Sequence, residues 1–276
     1  MINLMLKSGE IIYPEIIRYP DGTFKIDLEL SGISQNDYFR FTWKYEKEEE
    51  MLILIYLVKN VQERFPHADT ELYLPYLPNA RMDRIHNDYE VFTLKYFCQM
   101  INSLGFSKVT VLDVHSSVGV ALLDRCNNLS PEKYIREAIK SSGFDFINDY
   151  IFFPDEGSCK RYSGLFPECR HTGFGIKKRD WSTGKILGLD IAGDSPKGRN
   201  VFIVDDICSY GGTVFHSAKK LKSMGCKDID VFFTHCENSI ENGELLKGDL
   251  IHRIYTTNSL CTLNDTHKLF ILDCLK

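Results

Sequence analysis

The chain lacks any Cys-x-x-Cys pair among its nine cysteines, at positions 98, 126, 159, 169, 208, 226, 236, 261 and 274. An odd count without paired spacing argues against a zinc ribbon, a thioredoxin-type redox motif and a disulfide framework. Most of these cysteines fall in strand or helix patterns, which predicts reduced structural thiols in a cytoplasmic protein. The first residues, Met1-Ile2-Asn3-Leu4-Met5-Leu6-Lys7, carry no basic stretch and no long apolar core, so no signal peptide is expected there. The longest apolar run, Met51 to Val58, stops at Lys59 and is far too short to span a bilayer, so no membrane association is expected. A formal net charge of −5 leaves no basic field for nucleic acid, and none is expected as a partner. Low-complexity tracts and close internal repeats are absent as well.

What is present is an alternation of apolar strands and amphipathic helices over 276 residues, 43% of them hydrophobic. That length suits two modest domains or one large one. Residues 1–45 read as short strands, Ile11–Ile17, Phe24–Leu30 and Tyr38–Trp43, with the turn Pro20-Asp21-Gly22 between the first two. A helix is predicted over Lys44–Arg64, with Glu46 to Glu50 as its solvated first turn. A strand at Glu71–Pro75, a helix over Asp88–Leu104 and a strand at Lys108–Asp113 follow. After Pro131, placed to open a helix, a second series begins. Its strands are predicted at Asp149–Pro154, His171–Lys177, Lys185–Ile191, from Val201, Lys227–Thr234, Leu250–Thr256 and Leu269–Leu272, with a helix from about Ser158. The βαβ alternation predicts an α/β fold with largely parallel sheets. The division falls near Asn127–Ser130, giving domains 1–128 and 129–276.

One stretch organises the chain: Val201-Phe202-Ile203-Val204-Asp205-Asp206-Ile207-Cys208-Ser209-Tyr210-Gly211-Gly212-Thr213. The apolar run reads as a buried parallel strand with two carboxylates at its end. A Gly-Gly-Thr loop follows, then a helix with Val214, Ala218, Leu221 and Met224 on one face. Ligands in open α/β sheets bind at the carboxyl ends of strands. A helix N-terminus offers backbone N–H groups to an anion, and adjacent carboxylates hold sugar hydroxyls or Mg²⁺. This stretch resembles the phosphoribosyl-pyrophosphate (PRPP) binding motif of the type I phosphoribosyltransferase fold. The plainer alternative is a βα turn with an Asp N-cap.

Four further stretches sit at strand ends. Leu74-Pro75-Tyr76-Leu77-Pro78-Asn79-Ala80-Arg81-Met82-Asp83-Arg84 offers two arginines to a polyphosphate, or alternatively surface Arg–Asp pairs. Asp113-Val114-His115-Ser116 presents a histidine able to ligate a metal, bond a phosphate or serve the fold. In Phe153-Pro154-Asp155-Glu156-Gly157-Ser158-Cys159-Lys160-Arg161 the first acid suits a metal and equally a helix N-cap. Ile176-Lys177-Lys178-Arg179-Asp180, followed by Trp181-Ser182-Thr183-Gly184, reads as a cationic lid over phosphates or as a solvated hairpin tip.

In order, these stretches resemble the motif set of PRPP synthetases (ribose-phosphate diphosphokinases). Arg81-Met82-Asp83 is similar to the family's Arg-Gln-Asp, and Asp113-Val114-His115 to its Asp-Leu-His. Pro154 to Arg161 is similar to its Pro-Asp-x-Gly-Gly-x-Lys-Arg. Lys178-Arg179 falls in its catalytic flexible loop. Thr234-His235 and Thr257-Asn258-Ser259 match later landmarks, and Arg18-Tyr19-Pro20-Asp21-Gly22 resembles a loop that reaches a neighbouring subunit's adenine pocket. The resemblance covers nearly the whole chain and implies two phosphoribosyltransferase-like domains. It implies transfer of the β,γ-diphosphate of Mg-ATP to the 1-hydroxyl of ribose 5-phosphate, giving PRPP and AMP. Catalysis would fall to Lys178, Arg179 and His115. ATP would be bound by Arg81, Asp83, Arg84, Tyr19 and Asp21. Asp205, Asp206, Ser209, Tyr210, Gly211, Gly212 and Thr213 would hold the ribose phosphate. Mg²⁺ would be held by His115, Asp155 and Asp205, and the chain would assemble as a homodimer or higher homo-oligomer.

The departures bear on the acceptor. Where the family loop reads Asp-Thr-x-Gly-Thr, this chain has Ser209-Tyr210-Gly211-Gly212-Thr213, so an acid is lost and an aromatic gained. That change suits an acceptor extended beyond its 5-phosphate, such as ADP-ribose, because a diester carries less charge and Tyr210 can stack on a base. Lys177 and Lys178 both fit the flexible-loop lysine. A non-catalytic, nucleotide-binding regulatory homologue is the other class of reading.

Overall fold

The computed structural model describes residues 1–34, 37–179 and 186–275, leaving out the side chains of 177–179, 186 and 187. By contact density the chain divides into two compact units, residues 1–130 and 131–274.

The strands of the first unit are β1 (Ile2–Leu6), β2 (Ile11–Ile12), β3 (Glu15–Arg18), β4 (Phe24–Asp27), β5 (Tyr38–Trp43), β6 (Asp69–Leu74), β7 (Lys108–Leu112) and β8 (Cys126–Leu129). Its helices are α1 (Glu50–Arg64), α2 (Thr93–Ser103) and α3 (Ser117–Leu122). Among the described residues, six strands form one sheet in the order β2-β1-β5-β6-β7-β8, parallel from β5 to β8 and antiparallel at β1. β3 and β4 form a separate antiparallel hairpin. The parallel strands carry Phe39, Phe41, Leu72, Leu74, Val109 and Val111 into a core closed by Leu54, Val58 and Ile101 of the helices. Helices packed on a parallel sheet leave little of it wet, which is why these strands read as apolar runs.

Several boundaries differ from the sequence expectation, for identifiable reasons. Pro14 donates no ladder hydrogen bond, and the predicted strand Ile11–Ile17 divides around it into β2 and β3. α1 begins at Glu50 and not at Lys44. The Glu50 carboxylate is buried and accepts from Trp43 Nε1 and from Glu46 N, both at 2.9 Å, tying the preceding segment in a non-helical course. α2 begins at Thr93 and not at Asp88. Side chains before it bond locally, Asn87 Oδ1 accepting from Tyr89 N and Glu90 Oε2 from His86 N. Such bonds compete with helix. β1, α3 and β8 were not expected; β8 (Cys-Asn-Asn-Leu) is a half-exposed edge strand with no apolar run to mark it.

The second unit adds α4 (Glu132–Ser142), β9 (Tyr150–Phe153), α5 (Glu156–Tyr162), β10 (His171–Arg179), β11 (Ile186–Gly193), β12 (Val201–Cys208), α6 (Gly212–Ser223), β13 (Ile229–Cys236), β14 (Arg253–Thr257) and β15 (Leu269–Leu272). The described sheet runs β11-β10-β9-β12-β13-β14-β15, with β11 as its antiparallel edge. The other neighbours pair in parallel. After β9 the chain passes to β10 on one side, and β12 then returns to pair with β9 on the other. That reversal is a topological switch point, where the loops leaving two adjacent strands diverge and open a crevice. Tyr150, Phe152, Val201, Ile203, Val231, Phe233 and Ile254 are all buried beneath it, packed with Ala218 and Leu221 of α6. All nine cysteines are free thiols. Among the described residues no helix is long and apolar enough to cross a membrane.

Candidate active site

The loops on either side of the switch point carry the carboxylates picked out from sequence. β9 ends at Pro154, and Asp155 is the N-cap of α5. Its Oδ1 accepts from Ser158 N at 3.0 Å, while Ser158 Oγ accepts from Asp155 N at 3.2 Å. This reciprocal capping box fixes where the carboxylate sits. Two turns along α5, Arg161 Nη1 donates to Asp206 Oδ2 at 2.5 Å.

Asp205 and Asp206 do not end their strand as expected, because β12 runs on through Ile207 to Cys208. Both are buried. Strand alternation sends consecutive side chains to opposite faces, so the two acids are not equivalent. Asp206 is neutralised by Arg161. Asp205 has its carboxyl pushed well above the usual range, first by burial and then by the negative charges of Asp206 and Asp155, with Arg161 acting in the opposite direction.

Negative charge therefore exceeds positive charge around Asp155, Asp205 and Asp206, and the donors are hard oxygens. Among the described residues no group of three or more His, Cys, Asp or Glu is arranged to hold a metal ion by itself. Mg²⁺ commonly takes only one or two protein carboxylates, completing its shell with water and substrate phosphates. The donor set fits that ion.

Beyond β12, Ser209 is half-buried and the Tyr210 side chain is mostly exposed, at 61%. Gly211 adopts φ 77°, a left-handed conformation that favours glycine, and it caps α6 without a side-chain hydrogen bond. The first-turn amides of α6 have no intrahelical acceptor and form the positive end of the helix dipole. That arrangement suits a phosphate.

In the first unit, the loop after β6 is anchored by buried Leu77 and Ala80. It turns at Asn79, where φ is 61° and Met82 N donates to Asn79 O at 2.8 Å. Arg81 is exposed beyond this turn and Asp83 is buried. Arg84 folds back on Asp83, Nε to Oδ1 at 2.9 Å and Nη2 to Oδ2 at 3.3 Å. Arg84 holds the Asp83 carboxyl below the usual range, and His115 nearby adds in the same direction. His115 follows β7 through Asp113, itself buried at φ 47°. The fold thus brings Asp83, Arg84 and His115 together within one unit. Tyr19 and Asp21 lie on the turn of the β3–β4 hairpin, where Asp21 Oδ1 accepts from Thr23 N and Oγ1 at 3.0 and 2.7 Å. Arg18 beside them stacks on Phe24 and pairs with Glu49.

Lys177, Lys178 and Arg179 are strand residues of β10, paired with β11 across a register irregularity between 178 and 179. Their side chains, and residues 180–185, lie outside the described residues. Arg161 received no role from the sequence, although the signal was present: it lies two helical turns beyond Asp155, whose cap starts the helix.

No known family profile matches the chain. Curated relatives do. It is 25% identical over 273 residues to a ribose-phosphate pyrophosphokinase of Pyrococcus abyssi, covering 97% of this chain and 90% of the relative. A protein of the same description from Methanobrevibacter smithii is 24% identical over 276 residues, covering 93% and 87%. The fold matches a phosphoribosylpyrophosphate synthetase from Mycobacterium smegmatis with a TM-score of 0.78 at 16% identity, over 97% of this chain and 88% of that one. Along nearly its whole length the chain is similar in sequence to ribose-phosphate pyrophosphokinases and similar in fold to a phosphoribosylpyrophosphate synthetase. The two α/β units with largely parallel sheets are the architecture expected from the motifs. The family resemblance is end to end and not confined to the segment around Asp205.

Proposed function

We propose that the protein is an ATP-dependent diphosphotransferase that moves the β,γ-diphosphate of ATP to the 1-hydroxyl of ribose 5-phosphate. The ribose oxygen bonds to the β-phosphorus, the bond from that phosphorus to the bridging α–β oxygen breaks, and AMP departs with that oxygen. The hydroxyl proton is released. The observation carrying this reading is the set of carboxylates at the β9–β12 switch point, next to an anion-ready helix start. Relatives that share the chain's length and bear the name ribose-phosphate pyrophosphokinase support the choice of reaction.

Each unit contributes in its own way. Arg81 and Arg84 are assigned to the ATP phosphates, with Asp83 orienting Arg84. Tyr19 and Asp21 are assigned to the adenine end of ATP, and His115 to phosphate or metal. Asp205 and Asp206 are assigned to the ribose hydroxyls and the α6 N-terminus to the 5-phosphate. Asp155 and Asp205 are the residues of the second unit that would hold Mg²⁺, which when bound neutralises phosphate charge and polarises the β-phosphorus. Lys178 and Arg179 are assigned to the charge that develops on the transferred group. Such transfer is mostly positioning and electrostatics, so fixed cations and a held hydroxyl suffice.

A second reading keeps the chemistry and extends the acceptor to ADP-ribose. It is favoured by the exposed Tyr210 ring beside the phosphate loop and by Ser209 in place of an acid. One assay addresses both readings: AMP release from Mg-ATP with ribose 5-phosphate and with ADP-ribose. Turnover with ribose 5-phosphate alone removes the extended acceptor. Turnover with ADP-ribose alone replaces the first reading by the second. No AMP with either overturns catalysis altogether.

A further inference from the structure

The loop 209–213 does not stand alone. The segment after β13 returns beneath it through a 3₁₀ turn, Asn238–Asn242. Glu237 N donates to Cys208 O at 2.8 Å, joining the start of this segment to the last residue of β12. Gly243 then passes so close to Tyr210 that a Cβ built on it would lie 2.1 Å from the Tyr210 carbonyl oxygen. Leu245, fully buried, sits under Gly211, where an added Cβ would meet its Cδ1 at 2.2 Å. Glycine is required at 243 for this approach and at 211 for both approach and conformation.

The position of the returning segment is itself fixed by a buried polar network. β13 carries a bulge between Phe233 and His235 where it pairs with β14. Thr234 O, at the bulge, accepts from Thr257 Oγ1 at 2.6 Å and from Ser259 Oγ at 3.2 Å. Ser259 Oγ is also 2.8 Å from His235 Nδ1. Every member of this group is buried. A buried hydrogen-bonded network of this kind resists displacement, and it holds the strand end from which residues 237–245 depart.

Accepting the reading of 209–213 as the acceptor phosphate loop, we infer that Gly243 and Leu245 are positioning residues for acceptor binding. They act through the main chain of Tyr210 and Gly211, setting where the α6 amides meet the phosphate. A methyl group at 243 must displace Tyr210 or the segment, because a backbone oxygen cannot step aside as a flexible side chain would. A misplacement of about 1 Å at such a site costs on the order of a hundredfold in rate.

The test is steady-state kinetics of Gly243→Ala, varying acceptor and ATP separately. Gly164→Ala is the control, since an added Cβ there meets nothing within 4 Å. The expected result is a rise of at least tenfold in KM for the acceptor, with KM for ATP within twofold and the control unchanged. An unchanged acceptor KM overturns the inference, and so does an equal rise in both KM values, which would mark general damage. If Gly243→Ala does not fold, Leu245→Val withdraws support below Gly211 and is judged by the same split. Failure of the underlying reading shows differently, as absence of AMP release by the unaltered protein with either acceptor.

Discussion

Arg161 and Asp206 form the charge pair that separates the roles of the two adjacent acids on β12, with Nη1 and Oδ2 2.5 Å apart and side chains 23% and 6% exposed. The pair holds Asp206 Oδ2 against α5 and leaves Asp205 beside Asp155 and Asp206 with its charge only partly offset. Removing the guanidinium strands a carboxylate that cannot recover its hydration. Arg161→Ala is therefore expected to destabilise the second unit by about 3 kcal/mol. A urea titration checks this through a lowered midpoint at unchanged slope.

The opposite sign is expected one residue away. Burial and neighbouring acids push the Asp205 carboxyl up, so ionised Asp205 is a cost to the folded state. Asp205→Asn removes the charge while keeping the shape. Without metal, the variant should be more stable than the parent by about 1 kcal/mol, yet inactive. Thermal melts with and without Mg²⁺ check both halves. Mg²⁺ should raise the parent's Tm and raise that of the variant less. A variant that melts lower than the parent without metal contradicts the account of Asp205.

Most of the second unit's candidate site is legible because the residues it groups are local in sequence. Asp155 and its cap partner Ser158 are three residues apart, and Asp205 to Thr213 is one continuous turn from strand to helix. What was not legible depends on pairs far apart in the chain. Arg161 meets Asp206 across 45 residues, and Gly243 meets Tyr210 only because β13 lies beside β12. Asp205 and Asp206 look like a solvent boundary in sequence, whereas β12 continues through both, with Asp206 paired to Arg161. The helices start later than positions 44 and 88 for a related reason: a buried Glu50, and side-chain bonds around Asn87, capture backbone that helical pattern alone assigns to helix.

Glu50 offers a test of that last point. Its carboxylate receives Trp43 Nε1 and Glu46 N inside the first unit. Glu50→Ala leaves these two donors, and the Met1 N-terminal ammonium that donates to Oε1 at 2.6 Å, without their acceptor and is expected to cost about 3 kcal/mol. Because Trp43 is fully buried, its fluorescence should shift to longer wavelength at a denaturant concentration lower than for the parent.

The lysines at the end of β10 can be separated by kinetics. Lys178→Ala is expected to lower kcat by roughly a hundredfold to a thousandfold while leaving both KM values nearly unchanged, the pattern of an interaction made in the transition state. Lys177→Ala should lose less. The reverse order would move the catalytic assignment to Lys177.

A pH effect is expected at the alkaline end. Tyr38 Oη donates to Glu71 Oε2 at 2.9 Å, and burial followed by this bond to Glu71 raises the phenol to about 12. In the unfolded chain a tyrosine ionises at about 10. The Tyr38 contribution to stability is thus whole below about pH 10 and is lost progressively as pH rises through the interval to about 12, where the unfolded state has given up its proton first. Urea midpoints measured across that interval should fall, and Tyr38→Phe should flatten the fall.

The close packing of Gly243 against the Tyr210 carbonyl has an evolutionary corollary. The main chain at 210 is gripped from below while its ring is left in the open. Backbone and side chain at this position are therefore decoupled: a codon change at 210 exchanges the group at the loop's surface without redrawing the main chain that leads into α6. Under the proposed function, a lineage carrying this grip samples new acceptors one substitution at a time, with the fold left untouched.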